Sequence, residues 1–274
     1  MLLAASALLL GIPAATAFAS SATTGTGWIR LAHLSPNTPA VDVYLYSFDD
    51  SNAMIVLHHV AYGTVSPYES VQAGDYSVAM RAAGASPTSQ PVLSTSVTIA
   101  AGHAYTVAGM GPESGLRLQV LDDDLTTPAG KSLVRVIQAS LKQQVVNVSL
   151  GSTVLASGLK FATVSAYQAV TPGTVTVSVS AGAGDANSSV TLAAGTVHTL
   201  VVLDGTNGLE IVSLEDASGS GTPPLGGVST GFGGTAGHGP GSPVLWLVAI
   251  GAGGTLALTG GLRLRRNRQL HAGV

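Results

Sequence analysis

The chain says nearly the same thing twice. Ser96-Val97-Thr98-Ile99-Ala100-Ala101-Gly102 returns as Ser189-Val190-Thr191-Leu192-Ala193-Ala194-Gly195, 93 positions on, and Gly115-Leu116 and Gly208-Leu209 keep that offset. Val65-Ser66-x-Tyr68 matches Val164-Ser165-x-Tyr167 at an offset of 99, and Val41-Asp42-Val43 matches Val146-Asn147-Val148 at 105. The fold must therefore be buildable twice. Each copy of roughly 90 residues is long enough to close a core of its own. The offset drops twice by six, so the first copy carries two insertions, near Ser47 to Asn52 and near Gly84 to Pro91. Both spots are rich in turn residues and read as lengthened hairpin tips.

Within each copy the apolar residues alternate. Val41, Val43 and Leu45 share one face of a run, and Tyr76 to Arg81, Val97 to Ile99, Tyr105 to Val107 and Leu116 to Val120 behave alike. Gly and Pro turns such as Ala73-Gly74-Asp75 and Ala101-Gly102-His103 separate them. Period-2 alternation in short runs predicts antiparallel strands with one wet face. Charged residues are only 9%, and Val, Thr, Ser, Ala and Gly dominate, as short strands and tight turns require. About seven strands per copy predict an all-β protein of two tandem antiparallel β-sandwich (Ig-like) modules, 28–124 and 133–216, with 125–132 as connector. A short linker, 20–27, precedes them.

The opening of the first copy also carries a family resemblance. Arg30, His33, Ser35, Pro36, Pro39, Ala40, Val41, Asp42, Val43 and Tyr44 stand in the register R-x-x-H-x-S-P-x-x-P-A-V-D-V-Y. This resembles the start of the bacterial DUF4397 domain over residues 28 to 124 and, more weakly, 133 to 216. The second copy departs from the pattern, with Leu141-Lys142-Gln143 for Pro36-Asn37-Thr38 and Asn147 for Asp42. The resemblance implies an extracytoplasmic β-domain and brings no reaction with it.

The ends suggest a membrane protein. Residues 1–19 read as a secretory signal peptide, with an apolar stretch from Leu2 to Ile12 and Ala17-Phe18-Ala19 as cleavage site, although no Lys or Arg precedes Arg30. Residues 217–242 read as a flexible Gly/Ser/Pro-rich linker. Residues 243–262 are long and apolar enough for one C-terminal transmembrane helix. The arginines 263, 265, 266 and 268 in the tail, 263–274, then stay cytoplasmic under the positive-inside rule. Pro224 to Gly231 does not match a wall-sorting signal, so simple anchoring in the lipid bilayer through 243–262 is preferred. The expected location is the cell membrane, single-pass, ectodomain outside.

All 14 acidic residues lie between Arg30 and Asp216, with seven of the 11 basic ones. An acidic body argues against nucleic acid as a partner. With no cysteine there is neither a disulfide nor a thiolate metal site. His58 and His59, adjacent on a strand, would point to opposite faces and cannot share an ion. Asp122-Asp123-Asp124 lacks the alternate-position oxygens of a calcium loop and reads as a solvated connector. Asp42, opposite the core-facing valines, reads either as a cap on the Ser35 turn amides or as an exposed position. No G-x-S-x-G, H-E-x-x-H or phosphate-binding loop occurs. The reading is therefore no enzyme, no cofactor and no metal.

What differs between the copies is the better clue to function. The first has both insertions and an outward aromatic pair, Tyr44 and Tyr46, where the second has Ser149 for Tyr44. Tyr44, Tyr46, Asp49 and Asp50 are the candidate ligand contacts, with the second copy as spacer; insertions of no consequence remain the other reading. The function predicted is a membrane-anchored surface protein with a structural, adhesive or ligand-binding ectodomain and an envelope or extracellular partner. An envelope hydrolase or a carbohydrate or peptide sensor is the alternative.

Overall fold

The computed structural model describes residues 25–126, 129–182, 184–219 and Pro223. The expected signal segment, span and tail, and nearly all of linker 217–242, lie outside the described residues. Among the described residues no helix is long and apolar enough to cross a membrane. The described residues belong to one compact unit.

Module 1 holds β1 (Thr26–Leu34), β2 (Val41–Ser47), β3 (Ala53–Val60), β4 (Glu69–Gln72), β5 (Gly74–Ala82), β6 (Leu93–Ile99), β7 (Ala104–Met110) and β8 (Arg117–Asp123). Module 2 repeats them as β9 (Ser132–Gln138), β10 (Val145–Leu150), β11 (Thr153–Lys160), β12 (Thr163–Val164), β13 (Gln168–Val170), β14 (Gly173–Ala181), β15 (Ala186–Leu192), β16 (Thr196–Gly205) and β17 (Gly208–Ser218). Even a lone bridge recurs: Ala32 with Val65 in module 1 becomes Ile137 with Val164 in module 2. The longer tips of module 1 fall between β2 and β3 and between β5 and β6.

Each module is a pair of sheets. An inner sheet runs β4-β1-β7-β8 in module 1 and β12-β9-β16-β17 in module 2, where β13 also pairs β9; an outer sheet runs β3-β2-β5-β6 and β11-β10-β14-β15. Alternation builds the core between them: Ile29, Leu31, Val43, Leu45, Val78 and Ile99 in module 1, and Val134, Val136, Val148, Leu150, Val177 and Leu192 in module 2. The sheets are not purely antiparallel, because β1 pairs β7 and β9 pairs β16 in parallel. The order also differs from an immunoglobulin sandwich, in which strands one, two, five and four share a sheet.

The expectation of one wet face holds for the outer sheets and fails for the inner ones. The alternate residues Ala32 and Leu34 of β1 and Ile137 of β9, with Ala139 just past its end, meet in a third apolar cluster with Met110, Leu121, Val201 and Leu203. A fourth joins Tyr68, Ala104 and Leu125 to Leu133, Val197 and Ala217. Both faces of each inner sheet are thus covered, which is why Ile29 to Leu34 and Thr196 to Leu203 read as continuous buried runs. The two copies share an apolar interface and are not beads on a stalk.

Candidate functional site

At the center of that interface lies a crossed pair of buried ions. Arg30 donates from Nη2 to Asp216 Oδ1 at 2.7 Å, and Arg135 donates from Nη2 to Asp123 Oδ1. Arg30 Nε donates to Thr106 Oγ1 at 2.8 Å, and that hydroxyl donates to Asp123 Oδ2 at 2.6 Å. Arg135 Nε donates to Thr199 Oγ1 at 2.9 Å, and that hydroxyl donates to Asp216 Oδ2. Tyr68 and Tyr167 donate to the same two carboxylates at 2.6 and 3.0 Å, while the guanidinium groups lie 4.5 and 4.7 Å over their rings. Burial alone would disfavor the charge on Arg30, but Asp216 beside it outweighs this and holds the pKa above the ordinary range. Burial raises both tyrosines.

The Asp123 reading is therefore corrected. Asp123 closes β8 and is buried against Arg135, so it is no solvated connector; its neighbors Asp122 and Asp124 are exposed. Asp123 and Asp216 each join an arginine of the other module to a threonine and a tyrosine, so both are engaged across the interface.

The outer face of module 1 is the second cluster. Because β2 and β5 pair in register, Asp42 faces Arg81 and Tyr44 faces Ala79. The Arg81 guanidinium lies 5.0 Å over the Tyr44 ring, Tyr44 stacks on Tyr46 with centroids 6.1 Å apart, and His58 meets Tyr44 edge-on at 6.5 Å. Tyr44, expected to be exposed, is only 3% exposed under these neighbors, and Tyr46 is half-buried. Asp49 and Asp50 sit exposed at the β2–β3 tip, where Asp50 Oδ1 accepts the Asn52 N–H at 2.8 Å; they do not join the aromatic cluster.

Asp42 is buried and braces the backbone, but not at the Ser35 turn. Its oxygens accept the N–H groups of His59 at 2.8 Å and Gly84 at 3.0 Å, and His58 Nδ1 lies at 3.2 Å. Burial works to raise its pKa, but those donors outweigh it and the pKa is lowered. The strand is bulged here, with His59 at φ 54°, so His58 and His59 are both exposed and do not alternate as a regular strand would require. His33 is buried, its ring 3.2 Å from the Pro39 carbonyl oxygen and from Thr38 Oγ1. His103 lies at the other end of the paired strands β1 and β7, about 20 Å away at roughly 3.3 Å per residue. Among the described residues no three His, Asp or Glu side chains are placed to hold a metal.

Module 2 answers the aromatic cluster with small polar residues. Its register sets Asn147 against Ser180 and Ser149 against Ser178, where module 1 has Asp42 against Arg81 and Tyr44 against Ala79. The missing bulk leaves an open groove of about 420 Å³ lined by these residues with Ser157, Asp185 and Asn187.

Arg81 and the interface network went unread in the sequence. The network had a signal: Arg30 and Arg135, Tyr68 and Tyr167, Thr106 and Thr199, and Asp123 and Asp216 keep the repeat offsets of 105, 99, 93 and 93. Polar residues duplicated in step with the core point to a shared buried site. Arg81 shows only as the lone cation of β5, opposite a serine in the other copy.

The model of a domain of unknown function, DUF4397, matches residues 27–149 and again 132–226. No curated protein matches the chain in sequence. Among solved structures it is similar to the C-terminal domain of AlgF from P. aeruginosa, at 23% identity over 31% of this chain and 98% of that one, TM-score 0.24. It is also similar to the tip fimbrial protein Mfa3 from Porphyromonas gingivalis (6% identity, 70% and 98% covered, TM-score 0.22) and to a fimbrial assembly protein from Parabacteroides distasonis (11%, 70% and 96%, TM-score 0.20).

Proposed function

The chain belongs to the DUF4397 family, whose domain it carries twice, and we propose that it is a membrane-anchored surface protein whose two-module body binds at the bacterial envelope without catalysis. The inner sheets face each other, so the outer sheets carry the free faces. The supporting observation is the difference between those faces: an aromatic and cationic cluster on one scaffold, a hydroxyl-lined groove on the other. Its acidic and imidazole groups support binding over chemistry, because Asp42, Asp123, Asp216 and His33 are each committed to structural partners. The apolar stretch 243–262 and the arginines after it support anchoring, with the body outside and the tail inside.

Two measurements test this reading. Protease added to intact cells should remove the body and leave the tail protected; a body found in the cytoplasm overturns the topology. The immobilized body, residues 20–223, should retain a component of envelope fractions. Turnover of envelope material without retention would favor a hydrolase instead.

A further inference from the structure

On the outer face of module 1 a buried cation lacks a counter-charge. Arg81 is 7% exposed, and its Nε and Nη1 are buried without a hydrogen-bond partner. Asp42, directly across from it, turns its oxygens to His59, Gly84 and His58. Among the described residues only the ring of Tyr44 serves the guanidinium. A buried guanidinium with unused donors is costly, and the fold does not ask for it, since module 2 builds the same strand pair with Ser180. The backbone beside it is strained as well: His59 adopts φ 54° where module 2 places Gly158 at φ 63°. An uncompensated charge and a strained residue in one cluster, in one copy only, point to a ligand.

The place narrows the ligand. β2 and β5 are the two central strands of the outer sheet, so their backbones are already paired and no peptide can add there as a strand. The surface offers a cation at one end of β2, stacked tyrosines along it with Tyr46 half-buried, and the exposed side chains of Phe48 and Met54 beyond Tyr46 at the other end. A guanidinium pairs with a carboxylate or sulfate through charge-assisted hydrogen bonds, and aromatic and apolar surface suits the C–H faces of a sugar ring. The body around it is acidic overall, which repels a polyanion. We propose that this face binds a sparsely charged acidic saccharide, with Arg81 pairing with its carboxylate or sulfate and Tyr46 contacting its ring. The proposal rests on the surface-binding reading above and names the ligand class for it.

The test uses the full chain in detergent with four probes: aldotriouronate, neocarrabiose sulfate, neutral xylotriose and a hexaglutamate peptide. One or both of the acidic saccharides should bind, and their ratio identifies the anion; xylotriose and hexaglutamate should bind about tenfold more weakly or worse. Arg81→Gln should lose the preference for charge by a similar factor without melting lower than the parent, and Tyr46→Ala should weaken both acidic saccharides. Equal binding of xylotriose, preferred binding of hexaglutamate, no saccharide binding at all, or an Arg81→Gln chain that binds as the parent does overturns the site. So does a clear drop in the melting temperature of Arg81→Gln, which would make the residue structural. If Arg81→Gln still retains the envelope component, surface binding stands and this assignment falls.

Discussion

Where the two modules meet, Arg30, Tyr68, Thr106 and Asp123 face Arg135, Tyr167, Thr199 and Asp216, residue type for residue type. Where they face away, Asp42, Tyr44, His58 and Arg81 stand against Asn147, Ser149, Ser157 and Ser180. The shared face is isologous in the manner of a two-fold dimer: each arginine reaches the aspartate of the other copy. Such an interface tolerates little drift, because a change in one copy leaves a charge unpaired in the other. The outer face answers to no partner copy and was free to diverge.

The strongest way to break that comparison is to remove one carboxylate. Asp216→Ala leaves Arg30 buried with no direct carboxylate partner, only Asp123 Oδ2 at 4.0 Å, and should cost about 3–5 kcal/mol in chemical denaturation. Asp123→Ala should cost a similar amount through Arg135. Arg30→Met combined with Asp216→Leu should recover most of the loss, since apolar replacements need no counter-charge. If the single variants stay within about 1 kcal/mol of the parent, the crossed pairs do not hold the modules together.

The cores of both modules were legible because period-2 alternation has a direct cause: Val43 and Val148, and Ile99 and Leu192, are buried at matching positions. What alternation could not reveal was the second buried face of the inner sheets. Ala32 and Leu34 look like the outward residues of a one-sided strand, and only their meeting with Ile137 and Ala139 buries them. The candidate site was half legible. The difference between the copies points to Tyr44 and Tyr46, which lie in the outer-face cluster, but not to Arg81, because an arginine on an outward strand position is ordinary until its partners are known. The parallel pairing of β1 with β7 leaves no local mark, since the partners are about 75 residues apart.

Strain offers a gentler comparison. His59 and Gly158 occupy matching bulges, and both donate their N–H to the side chain at position 42 or 147. A non-glycine residue in the left-handed region costs about 1–2 kcal/mol, offset in part by the extra freedom of glycine in the unfolded chain. His59→Gly should therefore stabilize by about 0.5–1 kcal/mol. Gly158→His should destabilize by about 1 kcal/mol, and by backbone strain alone, because nothing lies within 4 Å of the added Cβ. Opposite signs in the two modules support the comparison; equal signs would mean that the bulges differ.

Acid should separate the copies further. Burial, against the pull of the Pro39 carbonyl, holds the His33 pKa below its ordinary value. The unfolded chain then takes up the proton first, at about pH 6.5. Stability is thus lost as pH falls through about 6.5 toward the folded pKa, and the loss is complete once both states are protonated. Gln138 fills the matching place in module 2, its Oε1 accepting the Ser140 N–H at 2.9 Å, and it has no proton to gain. His33→Gln should flatten the fall in melting temperature between pH 7 and the weakly acid range. It should not abolish the fall, because burial also lowers His198, and the lowered Asp42 adds its own loss at more acid pH. An unchanged pH profile in His33→Gln would exclude the imidazole as a source.

The smallest effect is expected where strain and packing oppose each other. Gly63 and Ala162 occupy the matching turn, at φ 82° and 58°, and their N–H groups donate to the carbonyls of His33 and Gln138 at 2.8 Å each. By strain alone Ala162→Gly should stabilize as His59→Gly does. However, Ala162 is buried in the apolar cluster between the modules, whereas His59 is exposed. Removing its methyl forfeits about 0.8 kcal/mol of burial, and glycine adds unfolded-state freedom worth about 0.5–1 kcal/mol. These losses roughly match the strain relieved, so Ala162→Gly should lie within about 0.5 kcal/mol of the parent. The reverse change, Gly63→Ala, brings strain without equal compensation, because its Cβ would come within 3.2 Å of Leu203 Cδ1 across the interface. Denaturation midpoints of the two variants decide the matter. A clear gain for Ala162→Gly would mean that its methyl contributes little to the interface, and a neutral Gly63→Ala would mean that Leu203 has room to yield.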